Sequence, residues 1–185
     1  VERGFGSIAA LPETSLVVLA APVRQNIELL SHLKGPAIAT DVGGTKREIV
    51  AAARALSPGI TFVGGHPLGG GERGGFAFAR PDLFAGRPWI FTPDGTEDAD
   101  AVTRLSQFVT GLGANPCLLT AEEHDRLMAY VSHLPQLAAS ALMDTVGAVV
   151  GSEGLRMAGR GLIDTTRLAS SPADVWRDIC LTNAD

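Results

Sequence analysis

The chain has 185 residues, of which 45% are apolar and 19% charged, and its formal net charge is −5. This length and apolar content are enough for one large domain or two small ones with a hydrophobic core. The 15 basic residues are scattered along the chain and aromatic residues make up only 5%, which argues against a nucleic-acid partner.

Other classes of protein are disfavoured by the same simple features. The two cysteines, Cys117 and Cys180, have no metal-ligand spacing and are too few for a disulfide framework. They predict no metal site and fit a reducing, cytoplasmic location. No apolar run suggests a membrane span, so we expect no membrane partner.

The first part of the chain alternates between strand-like and helical patterns. Apolar runs that end in glycine or proline predict strands at 15–23, 37–44, 59–66 and 87–93, with a last one at 115–120. Segments between several of these runs carry apolar residues at helical spacing, at 25–33, 45–56 and 97–113. This alternation predicts a parallel α/β sheet with right-handed crossovers, in which ligands bind beyond the carboxyl ends of the strands.

From Ala121 onward the pattern is helical only. Thr120 and Glu123 have the spacing of a capping box, which predicts that a helix starts between them. Pro135 lies inside this long helical segment and predicts a bend there. Apolar residues nearly encircle the helix from Leu137 to Val150, so we expect it to be buried against other helices of the chain or of another subunit.

Four features of the sequence carry possible chemistry. His66 lies between two glycine clusters at a strand end, where it is either a loop residue or a catalytic base. The DVGGTK segment, 41–46, is either an anion-binding helix start or a tight turn. His124 and His133 are nine residues apart, so they face opposite sides of a helix and cannot share a metal. For His124 a buried histidine bonded to a carboxylate or to a backbone group is favoured. Arg167 is either solvated or a fork for a carboxylate.

In order along the chain, seven segments together resemble the prephenate and arogenate dehydrogenases of tyrosine biosynthesis. They are VVLAAPV, DVGGTK, FVGGHPLGGGERGG, the LF…W.FTP region, LGA, AEEHDRLMAYVSHLP and DTTRLASSPADVWRDICLTN. The resemblance implies a partial Rossmann-type nucleotide-binding domain over residues 1–120 and a helical substrate and dimerisation domain over 121–185. It also implies a homodimer, NAD or NADP as cofactor, and prephenate or arogenate as substrate.

The resemblance assigns roles to particular residues. His66 matches the histidine that accepts a hydrogen bond from the ring hydroxyl. Matches to substrate-contacting positions are Arg167, Ser132, His133, Glu72, Gln136 and Thr45. Matches to cofactor-contacting positions are Ala21, Pro22, Val23, Asp41, Gly43 and Gly65.

Three residues depart from the pattern of the family. Gly44 stands where a serine commonly helps to orient the catalytic histidine, Gln136 replaces a histidine, and Gly71 replaces a residue with a hydroxyl. We further expect the dinucleotide-binding glycine turn, G-x-G-x-x-G, to lie before this chain begins, so that the chain is an incomplete one. Two alternatives to the dehydrogenase therefore remain open: a non-catalytic module and a dehydrogenase for another hydroxy acid.

Overall fold

The computed structural model describes residues 6–8, 14–56, 58–69, 76–95 and 99–184. Five strands form one sheet: β1 (Leu16–Leu19), β2 (Ala37–Asp41), β3 (Ile60–Pro67), β4 (Pro88–Thr92) and β5 (Asn115–Leu118), in that spatial order. Three helices connect them: α1 (Val23–Leu30), α2 (Arg47–Ala53) and α3 (Ala99–Gly111). The predicted α/β class for this part of the chain is confirmed.

The expectation of a wholly parallel sheet is wrong at one pairing. β1, β2 and β3 pair in parallel, as do β4 and β5, but β4 runs antiparallel to β3 with His66 opposite Ile90. A parallel return needs a crossover of a dozen or more residues, usually a helix. The segment 68–87 is rich in glycine and shows only a three-residue 3₁₀ turn, Phe76–Phe78, within its described part. The carboxyl end of β4 therefore lies on the side of the sheet opposite to the carboxyl ends of β1, β2 and β3.

Two apolar clusters hold the helices on the sheet. One joins β1, β2 and β3 to α1 and α2 through Leu19, Leu30 and Ile49. The other joins β3 and β4 to α3 through Val63, Phe91 and Leu105. These buried side chains come from the apolar runs and helical stripes of the sequence, so the periodicity is explained by the core.

The second part of the chain is helical, as predicted. It contains α4 (Ala121–Met128), a π-helical turn (Ala129–His133), α5 (Leu134–Leu155), α6 (Arg160–Thr166), a 3₁₀ turn (Arg167–Ser170) and α7 (Ala173–Thr182). Thr120 and Glu123 form the predicted capping box at the start of α4. The π turn directly precedes Pro135, whose ring and missing amide hydrogen disrupt regular helical bonding. Near the predicted bend the structure thus has a turn of π-helix, and the helical dihedral angles of α5 are interrupted further on, at Gly151.

Helix α5 is largely exposed within this chain. Only Gln136 and Ala139 are buried on it, whereas Leu137, Leu142, Val149 and Val150 are exposed. Most of the apolar surface of α5 is therefore not buried against helices of the same chain. By length and composition alone, residues 121–155 would also be able to cross a membrane, although the sequence predicted no span.

Helix α7 returns to the first part of the chain. The backbone amide of Arg24 donates to the Asp178 carboxylate over 3.1 Å, and the hydroxyls of Thr45 and Thr182 are 2.7 Å apart. Arg47 Nη2 donates to Asn183 Oδ1 over 2.8 Å. These contacts fix the last helix against the carboxyl ends of β1 and β2. This is the side of the sheet on which the sequence predicts a ligand site.

We predict that Gly65→Ala lowers the free energy of unfolding by about 1–3 kcal/mol. A methyl group there would lie 2.5 Å from the backbone oxygen of Asp41 and 2.6 Å from Thr40 Oγ1, and a β-sheet backbone has no room to move aside. Urea unfolding measures the change. Gly111→Ala is the control, because nothing lies within 4 Å of the position that its methyl group would take, and alanine favours the helix. An equal loss in both variants would contradict the packing argument.

Candidate functional site

His66 lies near the end of β3, at the carboxyl edge of the sheet. Its side chain is partly exposed, and its Nδ1 atom is 2.8 Å from Nε2 of His124. The two rings meet edge to face with centroids 5.0 Å apart. The strand end thus brings His66 to the place where the sequence predicted a ligand, and α4 supplies its partner.

His124 connects His66 to a buried carboxylate. Its Nδ1 atom is 2.8 Å from Oδ1 of Asp125, and both side chains are almost fully buried. Asp125 Oδ1 also accepts from the Lys46 amide over 2.7 Å, and Oδ2 accepts from the Arg47 amide over 2.9 Å. Burial raises the pKa of Asp125, but the hydrogen bonds from His124, Arg47 and Lys46 outweigh it, so that its pKa lies below the usual value.

A buried ion pair lies beneath this chain of hydrogen bonds. Lys46 Nζ donates to Asp41 Oδ2 over 2.5 Å, and neither side chain is exposed. Asp41 also accepts from the amides of Gly43 and Gly65 over 2.8 and 3.0 Å. Burial lowers the pKa of Lys46, and the contact with Asp41 opposes this shift. The pair fixes the turn after β2 against the end of β3, next to His66.

The surroundings of His66 favour its neutral form. Burial is the largest cause, and His124, Lys46 and His133 add to it, so that the pKa of His66 falls from 6.5 to about 3. The carboxylate of Asp125 opposes the shift but is too weak to reverse it. At neutral pH His66 is therefore uncharged, with one ring nitrogen free to accept a hydrogen bond.

A cavity of about 790 Å³ opens in front of His66, a size typical of small-molecule sites. Its wall is mostly apolar, and it combines the sheet edge with helices from the second part of the chain. The lining residues from the sheet and its loops include Val18, Ala20, Val42, Gly44, His66 and Trp89, and those from the helices include Phe108, Met128, Ser132, Val175 and Ile179.

Of the predicted substrate-contacting residues, Ser132 and the catalytic candidate His66 line this cavity. His133 is buried beside it, with Nδ1 3.2 Å from the Asn183 amide nitrogen and the ring edge-on to Trp176. Gln136 is also buried; its Nε2 donates to the Leu168 carbonyl over 2.8 Å, whereas its Oε1 has no partner among the described residues.

The remaining predicted substrate residues lie elsewhere. Thr45 is buried against Thr182, so its hydroxyl holds α7 in place instead of facing the cavity. Arg167 is exposed at the start of the 3₁₀ turn and does not line the cavity of His66 within a single chain. Glu72 falls outside the described residues. The role of Arg167 in contacting the substrate stays a prediction.

The predicted cofactor residues adjoin the cavity without forming its wall. Ala21 donates its amide to Asn26 Oδ1, Pro22 precedes α1, and Val23 is buried. Asp41, Gly43 and Gly65 form the buried turn around Lys46 described above. Their chain neighbours Ala20, Val42 and Gly44 do reach the cavity. These loops therefore shape the site mainly through the adjacent residues.

Three polar residues of the site, Lys46, Asp125 and Asn183, were not predicted from the sequence. His124 was expected to be buried with a carboxylate or a backbone group as its partner. The partner is the carboxylate of Asp125, and the second nitrogen of His124 also contacts His66, which was not expected. Adjacent titratable residues in the first turns of a helix that follows a strand, as in EEHD, were the available signal. Within the described residues, no cluster of three or more histidine, cysteine or acidic side chains has the arrangement of a metal site.

Comparison with known proteins relates these features to one family. The family model for the nucleotide-binding domain of prephenate dehydrogenase matches residues 2–118, and the model for its dimerization domain matches residues 120–185. A prephenate dehydrogenase from Bacillus subtilis is 36% identical over the whole of this chain, and a cyclohexadienyl dehydrogenase from Zymomonas mobilis is 32% identical over 95% of it. The chain spans 52% and 62% of the length of these two relatives.

Solved structures show the same relationship. A crystal structure of prephenate dehydrogenase from Aquifex aeolicus is 31% identical, with a TM-score of 0.86 over all of this chain and 68% of its own. A second, in complex with hydroxyphenyl propionate and NAD+, is 33% identical with a TM-score of 0.83 over 92% of this chain and 61% of its own. An arogenate dehydrogenase from Synechocystis has a TM-score of 0.76 at 26% identity, over 96% of this chain and 66% of its own. By sequence and by fold, the chain belongs to the prephenate dehydrogenase family.

Proposed function

We propose that the protein containing this chain is an NAD- or NADP-dependent dehydrogenase of prephenate or arogenate. In this reaction the ring carbinol loses hydride, the ring carboxylate leaves as carbon dioxide, and the ring becomes aromatic. Aromatisation supplies the driving force, so the protein has to orient the reactants and manage one hydroxyl proton. The observation that supports this proposal is the position of His66 at a strand end, lining a cavity that helices from the second part of the chain also line. Its lowered pKa keeps it neutral there.

In this proposal His66 accepts the hydrogen bond of the substrate hydroxyl. A lowered pKa leaves the imidazole uncharged at neutral pH, and one nitrogen is already bonded to His124, so the other is available to the cavity. Ser132 also lines the cavity, and in this proposal its hydroxyl contacts a polar group of the ligand. Arg167, His133, Gln136, Glu72 and Thr45 remain proposed substrate residues, as the resemblance implies.

The residues of the sheet edge fit the nicotinamide end of a dinucleotide. Val18, Ala20 and Val42 form an apolar surface, and Gly44 lines the cavity beside them, opposite Ile179 of α7. When NAD or NADP is bound, it supplies the hydride acceptor. Ala20, Val42 and Gly44, with the adjoining loops at 21–23, 41–43 and 65, would hold that ring over the cavity.

The exposed apolar side chains of α5 support a homodimer through the helical part. Leu137, Leu142, Val149 and Val150 are between 38% and 80% exposed, which is unusual for neighbouring large apolar residues of one helix. A second copy of the chain covers them in our proposal, consistent with the dimerization-domain model that matches this region. Association of this kind also explains the apolar character of residues 121–155 without a membrane, and we place the enzyme in the cytoplasm.

We predict that His66→Asn lowers kcat about 10²- to 10⁴-fold in the natural polypeptide that contains this chain, because the variant loses the imidazole acceptor. Nucleotide absorbance follows turnover with prephenate and with arogenate, and calorimetry follows the affinity for NAD and NADP, which should change little. His32→Asn is the control, because His32 is exposed just after α1 and outside the cavity.

Unchanged turnover in His66→Asn would contradict the role of this residue. Absence of both turnover and dinucleotide binding in the unaltered polypeptide would favour the alternative of a non-catalytic module. Gly44 and Gln136, which replace polar residues common in the family, are the features that keep this alternative open.

We also predict that Val149→Asp weakens dimerisation by at least about 100-fold. Each copy loses a buried apolar side chain worth roughly 1.5 kcal/mol or more, and a two-fold interface contains the site twice. Sedimentation equilibrium measures the dissociation constant. Leu118→Lys, at an exposed position of the edge strand β5, is the matched control. A chain that is monomeric before substitution, or a dimer insensitive to Val149→Asp, would overturn the assignment of this surface.

A further inference from the structure

The hydrogen bonds around His66 determine which of its nitrogens carries the proton. Asp125 receives two backbone amides and the Nδ1 atom of His124, and its pKa lies below the usual value, so it is ionised and can only accept. His124 must therefore carry a proton on Nδ1. In its neutral form His124 then offers the lone pair of Nε2 to His66.

The consequence for His66 follows directly. If His124 Nε2 accepts, then His66 Nδ1 donates, and the remaining proton-free nitrogen of His66 is Nε2. This is the tautomer that an acceptor for a ligand hydroxyl requires. Neutral histidine in water favours the opposite tautomer, with the proton on Nε2, so the neighbours of His66 have to impose the useful one.

We propose that His124 and Asp125 are positioning residues that hold the proton of His66 on Nδ1 and take over that proton during the reaction. This inference rests on the proposed function and adds to it a proton-storing pair. The ligand hydroxyl transfers its proton to His66 Nε2, and the Nδ1 proton moves to His124 Nε2. His66 is then neutral again, and His124 is an imidazolium against the carboxylate of Asp125.

Temporary storage of one proton is sufficient for the reaction, because the proton that leaves the hydroxyl returns to the same oxygen. The O–H electron pair forms the carbonyl bond as hydride leaves the carbinol carbon for the dinucleotide. The electrons of the bond to the departing carbon dioxide then restore the aromatic ring and return the oxygen to a phenolate, which takes back the stored proton. No net proton is released, so the pair can be buried without a path to solvent, as His124 and Asp125 are.

The electrostatics explain why the proton is stored at His124 instead of His66. A charge on His66 is disfavoured by burial and by the nearby Lys46, whereas a charge on His124 lies 2.8 Å from a carboxylate oxygen. The charged and titratable groups that surround the two rings are Lys46 and Arg47 at the start of α2, Asp41 at the end of β2, and His133 in the π turn. In the family pattern a serine at position 44 helps to orient the histidine; here Gly44 carries no hydroxyl, which leaves that task to His124.

Nitrogen NMR of the histidine-labelled chain, without any ligand, tests the proposal. The chain has four histidines, so the signals are assigned by single substitutions, with His32→Gln as the control that should leave the others unchanged. Between about pH 6 and 8 we expect His66 to be protonated on Nδ1 and proton-free on Nε2. His124→Phe removes the acceptor, and His66 should change to the Nε2-protonated form.

Two results would overturn the proposal: His66 protonated on Nε2 in the unaltered chain, or a tautomer of His66 that His124→Phe leaves unchanged. The first measurement needs no variant, so it stands even if His124→Phe does not fold. Because no substrate or cofactor is present, a failure here rejects the proton-storing pair and leaves the dehydrogenase proposal intact. Conversely, the expected tautomer in this chain, together with no dehydrogenase activity in the natural polypeptide that contains it, would reject the function and the storage step but not the orienting role of His124 and Asp125.

Discussion

The rest of the site depends on the hydrogen bonds that the carboxylate of Asp125 accepts. This carboxylate lies on α4, in the second part of the chain. Yet it accepts hydrogen bonds from two amides at the start of α2, a helix that packs against the sheet of the first part. Amides at the start of a helix have no partner within the helix, and a negative charge there is favoured by the helix dipole. The same carboxylate orients His124, and through it His66. One buried anion therefore joins the two parts of the chain and positions the catalytic candidate.

This arrangement explains why polar groups accumulate at a single edge of the sheet. Asp41 and Lys46 neutralise each other under the turn that leads into α2, and Gly65 allows β3 to pass close to that turn. Asn183 adds a bond from the end of the last helix to the backbone of Asp125. Most charges at this edge are thus used to hold the structure, and the cavity itself is mainly apolar with His66 and Ser132 as its polar contacts.

Much of this fold could be predicted because its causes are local. The apolar runs of β1, β2 and β3, the stripes of α1 and α3, and the capping box of Thr120 all have sequence signatures. The direction of β4 was mispredicted because it depends on the connection 68–87, whose lack of a helical pattern was not weighed. The contact of His124 with His66 was not predicted, because a contact between residues 58 positions apart produces no periodic pattern in the sequence. The exposure of α5 was not predicted, because apolar residues around a helix indicate burial but do not say whether the covering helices belong to the same chain.

Amide hydrogen exchange at Lys46 and Arg47 tests the central claim most directly. These two amides have Asp125 as their acceptor, so we predict that both are protected in the unaltered chain and that Asp125→Ala makes both exchange rapidly. The amide of Val50, bonded to the Lys46 carbonyl inside α2, should stay protected in the folded variant and serves as the internal reference. Rapid exchange of Lys46 and Arg47 in the unaltered chain, or protection that survives the loss of the carboxylate, would contradict this role of Asp125.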